Sequence, residues 1–252
     1  SSVNPVVLLP GAVAEKGEEL ADELTGSALL GTGQFCTNPG IIFAVKGDDT
    51  DTLIATLADK YKAAPCGTLL GKGTQEGLEA GINVLIENGA ELVEGHKPAD
   101  REGCAWANTL LKVSAGQFLA KPDQLQTEAF GNATLVVIAD STEQLPELVA
   151  QCEGNLTGCV YSAKDGSDDP AYDALAPILR RKVGRLLNDK MPTGVAVSPA
   201  MNHGGPFPAT GHPHFTSVGL PAAMRRFTRL ACYDNVRPHR LPAVLQEMMA
   251  SS

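Results

Sequence analysis

The 252-residue sequence has no long apolar run and no excess of positive charge. No uninterrupted apolar stretch reaches the length that spans a bilayer, and no basic segment precedes an apolar one at the start. We therefore expect neither a membrane span nor a signal peptide. A formal net charge of −9 repels phosphate groups, which argues against nucleic acid and anionic membranes as partners. Apolar residues make up 43% of the chain, which is enough for a sizeable core.

The six cysteines form none of the familiar metal-binding or redox patterns. No pair has C-x-x-C spacing and no cysteine–histidine spacing fits zinc, so we expect no metal site. Scattered cysteines in a chain of this length indicate reduced thiols and hence a cytoplasmic protein. A G-x-G-x-x-G loop followed by a ribose-binding acid is also missing, and "GTLLGKGT" from Gly67 lacks the spacing of a phosphate-binding P-loop.

Strand and helix patterns alternate along the chain. Helical patterns of ten or more residues separate the strands, which predicts crossover connections and an α/β fold with a largely parallel sheet. Late in the chain, the pattern predicts one long helix over residues 170–190, a strand over 194–199 and a helix over 221–230. No proline- or glycine-rich linker divides the sequence, so we predict one domain, residues 1–236, followed by a tail over 237–252.

The stretch "GTGQFCTNPG", residues 31–40, places a thiol in a segment that is otherwise built like a turn. Gly31 and Gly33 allow unusual backbone angles and the close approach of a ligand. Cys36 lies on a connection at one end of the predicted sheet, where α/β proteins keep their chemistry. Spacing alone leaves two interpretations open, a catalytic nucleophile and an inert loop cysteine, and the inert one is the commoner.

Two further stretches carry candidate binding residues. In "QTEAFGNATLVV", residues 126–137, Glu128 and Phe130 lie on one side of an extended segment, where a carboxylate and a ring can serve a ribose and a flat heterocycle. The alternative is an edge strand with one solvated acid and one core ring. "MNHGGPFPATGHPHFTSVG", residues 201–219, is a long irregular loop of the kind that is usually functional or disordered. We expect its histidines to border a substrate entrance rather than to bind metal.

Four motifs follow one another along the chain: "VNPVVLLPGA", "GTGQFCTNPG", "QTEAFGN" and "HGGPFPATGH". Together they resemble the aldehyde dehydrogenase superfamily over residues 1–236, and the match of four motifs in order is specific. The "SSVNP" start and the "HGGPFPAT" loop are most similar to the branch of α-ketoglutarate semialdehyde (2,5-dioxovalerate) dehydrogenases and NADP-dependent fatty aldehyde dehydrogenases. The resemblance implies a three-layer α/β sandwich like the catalytic domain of an aldehyde dehydrogenase.

The resemblance implies a role for each matching residue. Cys36 matches the nucleophile, and its backbone N–H matches one donor to the oxyanion. Glu128 matches the acid that holds the nicotinamide-side ribose of NAD or NADP, and Phe130 matches the aromatic residue that contacts that half of the cofactor. Phe207 falls where the family lines its substrate pocket. The implied reaction oxidises a small-molecule aldehyde, such as α-ketoglutarate semialdehyde, to an acid through a cysteine thiohemiacetal and a thioester.

The resemblance also implies parts that these 252 residues do not contain. The family's general-base glutamate would lie two residues before Ser1, and its dinucleotide-binding domain would come before that. We therefore expect a fragment of a longer enzyme, inactive alone, whose full form assembles as a homo-dimer or homo-tetramer. The missing half would decide much of the aldehyde specificity and the choice between NAD and NADP.

Two other classes of function stay open. Cys36 can serve a cofactor-independent hydrolase or acyltransferase, which needs a histidine base held by a third group, yet the five histidines lie far along the chain from it. The chain can instead be a non-catalytic α/β module that oligomerises through its terminal segment. Arg225, Arg226 and Arg229 can receive a substrate carboxylate, although helix-end or interface roles are commoner for such runs.

We expect the purified chain to produce no NAD(P)H steadily from an aldehyde and NAD+ or NADP+. The general base and most of the cofactor-binding groups that the resemblance implies are not among its residues. The measurement is the absorbance of reduced cofactor over time, with a two-domain aldehyde dehydrogenase as the positive control. Sustained production in proportion to the concentration of the chain would contradict this expectation.

Overall fold

A computed structural model describes residues 1–251, so Ser252 of the predicted tail lies outside the described residues. Seven strands of the described chain form one sheet: β1 (Val6–Leu8), β2 (Ile41–Val45), β3 (Glu91–Glu94), β4 (Thr109–Ser114), β5 (Ala133–Ala139), β6 (Asn155–Tyr161) and β7 (Val183–Asn188). Their order across the sheet is β3-β4-β5-β2-β1-β6-β7, and every neighbouring pair is parallel except β3 with β4. The predicted α/β fold with a largely parallel sheet is confirmed.

Helices cover both faces of this sheet. The helices of the described chain are α1 (Pro10–Leu29), α2 (Asp48–Ala63), α3 (Lys72–Glu87), α4 (Ala115–Ala120), α5 (Pro122–Leu125), α6 (Leu145–Ala150), α7 (Asp169–Lys182) and α8 (Ala243–Ala250). Alternate residues of β1 serve opposite faces: Val7 packs in a core cluster with Leu78 of α3, whereas Val6 and Leu8 pack in a second cluster with Leu20 of α1. The sheet is thus the middle layer of a three-layer sandwich.

The burial of the central strands explains why their sequences are apolar. Every residue of β1 and β2 is buried, because helices cover both of their faces, and both strands are accordingly continuous apolar runs. α2 begins with acidic residues in its first turn and ends with Lys60 and Lys62 in its last, an arrangement that complements the helix dipole. These local patterns are the reason that the first half of the chain could be divided into elements from its sequence.

Three predicted elements late in the chain are wrong. The helix predicted over residues 170–190 ends at Lys182, and the chain continues as β7, which pairs in parallel with β6. Gly184 favours this break because glycine is a poor helix former, and pairing with β6 supplies the backbone hydrogen bonds that the helix would have made. Residues 194–199 form no strand, and the helix predicted over 221–230 is only a short 3₁₀ turn, Ala222–Arg226.

The candidate residues meet at the edge where the parallel strands begin, which we call the amino edge. Asn4 precedes β1, Cys36 precedes β2, the segment with Glu128 and Phe130 precedes β5, and Asn155 opens β6. Open α/β sheets more often bind ligands at the carboxyl ends of their strands. Here the motifs stand before their strands, so the parallel pairing gathers them at the opposite edge.

The side chain of Asn4 links the segments at the amino edge through hydrogen bonds. Its Nδ2 donates to the carbonyl oxygens of Cys36, at 3.0 Å, and of Asn38, at 2.8 Å. The Oδ1 of Asn155 accepts from the backbone N–H groups of Val3 and Asn4, at 2.8 and 2.9 Å. Asn4 is fully buried and has a φ of +48°, a left-handed conformation that asparagine tolerates better than most residues. The start of β1, the Cys36 segment and β6 are therefore fixed to one another through buried amides.

We expect Asn4→Ala to lower the free energy of unfolding by about 3 kcal/mol, because the carbonyl oxygens of Ser2, Cys36 and Asn38 all lose the Nδ2 donor. Urea denaturation measures the change. The matched control is Asn235→Ala, since Asn235 is also an asparagine with positive φ, at +52°, but is exposed. If both substitutions cost the same, the buried amide of Asn4 contributes nothing and only the backbone conformation matters.

Candidate active site

Cys36 is an exposed thiol on a tightly shaped turn. The turn includes Gly31, Thr32 and Gly33, which have φ values of +57°, +61° and +66°. A Cβ on Gly33 would overlap the carbonyl oxygen of Gly131, so only glycine allows the Cys36 turn to pack against the segment that carries Glu128 and Phe130. The thiol of Cys36 is thus accessible from solvent, and its role as a nucleophile rather than an inert loop cysteine stays a prediction.

Glu128 and Phe130 line a narrow cleft beside the Cys36 turn. Gly33 and Phe35 of that turn form part of the same cleft. Phe130 is 41% exposed, so it is not the core ring of the alternative interpretation. The structure therefore brings these two residues next to the turn that carries the thiol, while their roles in binding a cofactor stay predictions.

Burial raises the pKa of Glu128, and a hydrogen bond from the backbone N–H of Ser2 partly opposes this rise. The ionised carboxylate has therefore lost part of its hydration. Hydrogen-bond donors on a ligand, such as the hydroxyl groups of a sugar, would restore what burial removes. The side chain suits a binding role at this position.

The structure brings His203 to Cys36, across 167 positions of sequence. The Nε2 atom of His203 lies 3.0 Å from the Sγ atom of Cys36. Glycines make this approach possible: a Cβ on Gly205 would overlap the carbonyl oxygen of Asn155, so the loop that starts at His203 can lie directly on the start of β6. The loop was expected from sequence to border a substrate entrance, but no local pattern predicted the contact between His203 and Cys36.

The imidazole of His203 is a neutral group with one unused nitrogen. Burial and, to a lesser degree, the charge of Arg185 lower the pKa of His203. Its Nδ1 is buried and has no hydrogen-bond partner among the described residues. A catalytic histidine is normally held by a third group at this nitrogen. The pair of Cys36 and His203 therefore lacks the orienting partner of a complete triad within residues 1–251.

Arg185 is a second residue of the site that sequence reasoning missed. It lies on β7 and is half-buried. Burial lowers the pKa of Arg185, and the charge of an ionised Cys36 opposes that shift. The residue was assigned to a predicted helix, whereas the short apolar run "VGRLLN" after the basic turn of α7 is the signal that identifies a strand here.

Phe207 lies on the same loop as His203 and is 81% exposed. The carbonyl oxygens of Pro206 and Phe207 approach Gly154, just before β6, so the residue is near the amino edge. Its role in lining a substrate pocket stays a prediction.

Within residues 1–251, no three histidine, cysteine or acidic side chains come together as a metal site. No helix in this part of the chain has the length and apolar character needed to cross a membrane.

Two curated proteins are similar to nearly the whole chain. The sequence is 40% identical over 247 residues to α-ketoglutaric semialdehyde dehydrogenase 2 of Azospirillum brasilense. It is 36% identical over 248 residues to α-ketoglutaric semialdehyde dehydrogenase of Acinetobacter baylyi. Each match covers 98% of this chain and 46% of the relative, so the chain spans about half the length of both. No protein-family model matches the sequence.

Solved structures share the fold at low sequence identity. The structure of PnpE in complex with nicotinamide adenine dinucleotide has a TM-score of 0.72 and 16% identity, and the match covers 91% of this chain and 45% of that one. An NAD-dependent aldehyde dehydrogenase from Sinorhizobium meliloti has a TM-score of 0.66 and 18% identity over 81% of this chain and 39% of that one. These likenesses confirm the predicted fold. Together with the two curated relatives, they confirm the resemblance to the aldehyde dehydrogenase superfamily that the four motifs carry.

Proposed function

We propose that this chain is the catalytic half of an NAD(P)-dependent aldehyde dehydrogenase, in which Cys36 is the nucleophile. The observation that carries the proposal is the exposed Sγ of Cys36, held beside His203 on the turn that borders the Glu128–Phe130 cleft. The two curated relatives are both named as dehydrogenases of α-ketoglutaric semialdehyde. The half of those relatives that this chain does not match is proposed to supply the dinucleotide-binding domain.

The thiol of Cys36 forms the new bond to substrate. Neutral His203 is within hydrogen-bond distance of the sulfur and can take the thiol proton on Nε2. The thiolate then adds to the aldehyde carbon, and the carbonyl electron pair moves onto oxygen as an oxyanion. The backbone N–H of Cys36 is proposed to donate to that oxygen. Because Asn4 holds the carbonyl groups of Cys36 and Asn38, the direction of this part of the backbone is fixed before substrate binds.

The cofactor is proposed to bind between the Cys36 turn and the cleft. The carboxylate of Glu128 would accept from the nicotinamide-side ribose, and the exposed ring of Phe130 would contact the same half of NAD or NADP. The cleft fits this use because it combines a partly desolvated carboxylate with an exposed aromatic ring. When bound, the nicotinamide supplies the two-electron acceptor that aldehyde oxidation requires. Loss of the aldehyde hydrogen as hydride, for which that acceptor would be needed, would leave a thioester on Cys36, and attack by water would then release the carboxylic acid and return the thiol.

The substrate is proposed to be an aldehyde that carries a carboxylate, in line with the names of the two relatives. Phe207 is proposed to line the pocket that receives it. We further propose a cytoplasmic location, which the six free cysteines support, because reduced thiols persist there.

The carboxyl-terminal segment is proposed to act in assembly as a homo-dimer or homo-tetramer. Leu230 is 99% exposed and Phe227 is 85% exposed, and α8 has no buried residue. Exposed apolar side chains of this kind commonly mark surfaces that another chain covers. The division into a domain of residues 1–236 and a tail over 237–252 stays a prediction.

A cysteine hydrolase or acyltransferase is the second candidate, and the contact between Cys36 and His203 favours it. The unpartnered Nδ1 of His203 weakens this candidate, because a hydrolytic histidine needs a third group to orient it. The two functions differ in their need for a nicotinamide cofactor. Repeated turnover of an activated ester by the purified chain without cofactor, at the rate typical of a cysteine hydrolase, would favour the second candidate.

We expect Cys36→Ala, in the enzyme that contains this chain, to lower the rate of NAD(P)H production from aldehyde by at least about a thousandfold, since the covalent step is lost. The control is Cys232→Ala, which removes the other exposed thiol and should leave the rate unchanged. Both variants are compared at saturating cofactor and aldehyde. Oxidation that survives in Cys36→Ala at the original rate would remove the assignment of the nucleophile.

A further inference from the structure

Arg185 is a half-buried cation without an anionic partner. Its Nη1 lies 3.8 Å from the Sδ of Met201, and its Nη2 lies 3.4 Å from the carbonyl oxygen of Gly194. Its Nε is buried and donates to no described group. The ion pairs among residues 1–251 all use lysine, so no carboxylate there neutralises this guanidinium.

Two short connections place Arg185 beside the nucleophile. The carbonyl oxygen of Gly194 accepts from Arg185. The backbone N–H of Gly194 donates to the Oγ1 of Thr37, the residue after Cys36, over 3.3 Å. Met201 contacts Arg185 two residues before His203, which itself contacts the sulfur of Cys36. The guanidinium and the thiol therefore border the same small region of the amino edge.

The two contacts of Arg185 are weak, although its guanidinium is partly withdrawn from water. A thioether is a poor acceptor, and 3.4 Å is a long distance for a hydrogen bond to a carbonyl oxygen. Burying a charge is unfavourable unless the charge is paired and hydrogen-bonded. A guanidinium carries five N–H donors, and the described residues accept from few of them.

We propose that Arg185 is an anion-binding subsite that receives the carboxylate of the substrate while Cys36 engages the aldehyde carbon. The proposal rests on the proposed function and adds the residue that selects the substrate class, the semialdehydes of dicarboxylic acids. A guanidinium suits this task because it presents parallel N–H groups to the two oxygens of a carboxylate. The arginines first considered from sequence, Arg225, Arg226 and Arg229, are exposed and lie on or just after the late 3₁₀ turn.

The test compares two reagents that alkylate Cys36 and differ in charge. Iodoacetate and iodoacetamide both form a sulfur–carbon bond with the thiolate and release iodide, so the ratio of their rates cancels any change in the thiolate fraction. We expect Arg185→Gln to lower the iodoacetate-to-iodoacetamide ratio at Cys36 about tenfold, measured on the Cys36 peptide by mass spectrometry. An unchanged ratio would overturn the proposal.

The matched control is Arg181→Gln, which makes the same change in net charge at an exposed position on α7. We expect it to leave the ratio at Cys36 unaltered. The exposed Cys232 in the same samples reports the intrinsic ratio of the two reagents. If Arg181→Gln lowers the ratio at Cys36 as much as Arg185→Gln, the effect belongs to the overall charge and the subsite is refuted.

A second measurement needs no substitution and does not depend on how a variant folds. Glutarate should slow the alkylation of Cys36 by iodoacetamide at least threefold in the unaltered chain, whereas the neutral glutaramide at the same concentration should not. Equal protection by the two compounds, or none by either, would refute an anion-binding subsite.

The two experiments can refute the anion-binding subsite and the proposed function independently of each other. If the charge ratio does not respond to Arg185→Gln but Cys36→Ala abolishes aldehyde oxidation, the function stands and the subsite is wrong. If the ratio falls as expected but Cys36→Ala leaves oxidation intact, the anion site stands and Cys36 is not the nucleophile of the reaction.

Discussion

The position of the thiol depends on one buried amide. Asn4 stands before the central strand β1, and its Nδ2 binds the carbonyl oxygens of Cys36 and Asn38, while Asn155 at the start of β6 holds the backbone of Asn4 in turn. A turn rich in glycine has many conformations available to it. Buried hydrogen bonds from a rigid strand select one of them, because leaving those carbonyl groups unpaired would be costly. The exposed thiol of Cys36 is therefore carried by a backbone that these hydrogen bonds hold away from the core.

Close backbone contacts complete the site around that fixed turn. Gly33 meets the carbonyl group of Gly131, which sets the Cys36 turn against the Glu128–Phe130 segment, and Gly205 meets Asn155, which sets the His203 loop against β6. Each contact leaves no room for a Cβ, which explains why both positions are glycine. The outcome is a thiol, a neutral imidazole and an unpaired guanidinium in one region, with a carboxylate and an aromatic ring in the adjoining cleft. Such a grouping suits a substrate that is electrophilic at one end and anionic at the other.

The sequence was sufficient for the α/β class and for the central strands, but it could not supply contacts between distant segments. β1, β2 and β5 are continuous apolar runs, so their positions, and the residues just before them, could be predicted. The strand β7 was hidden in an apparent helix, because its pairing with β6 is a tertiary interaction, and Arg185 was missed with it. His203 could be placed in a functional loop but not on Cys36, since nothing local encodes that contact. The amino edge could in principle have been predicted, because Cys36 and the segment with Glu128 and Phe130 each precede a strand.

The central claim is that the sulfur of Cys36 adds to an aldehyde carbon. Carbon-13 NMR of an aldehyde labelled at its carbonyl carbon tests this directly on the purified chain, without cofactor. We predict a protein-bound signal of a tetrahedral carbon attached to oxygen and sulfur, which is distinct from the free hydrate and disappears in Cys36→Ala. The same bound signal in Cys36→Ala, or no bound signal at saturating aldehyde in the unaltered chain, would contradict the claim.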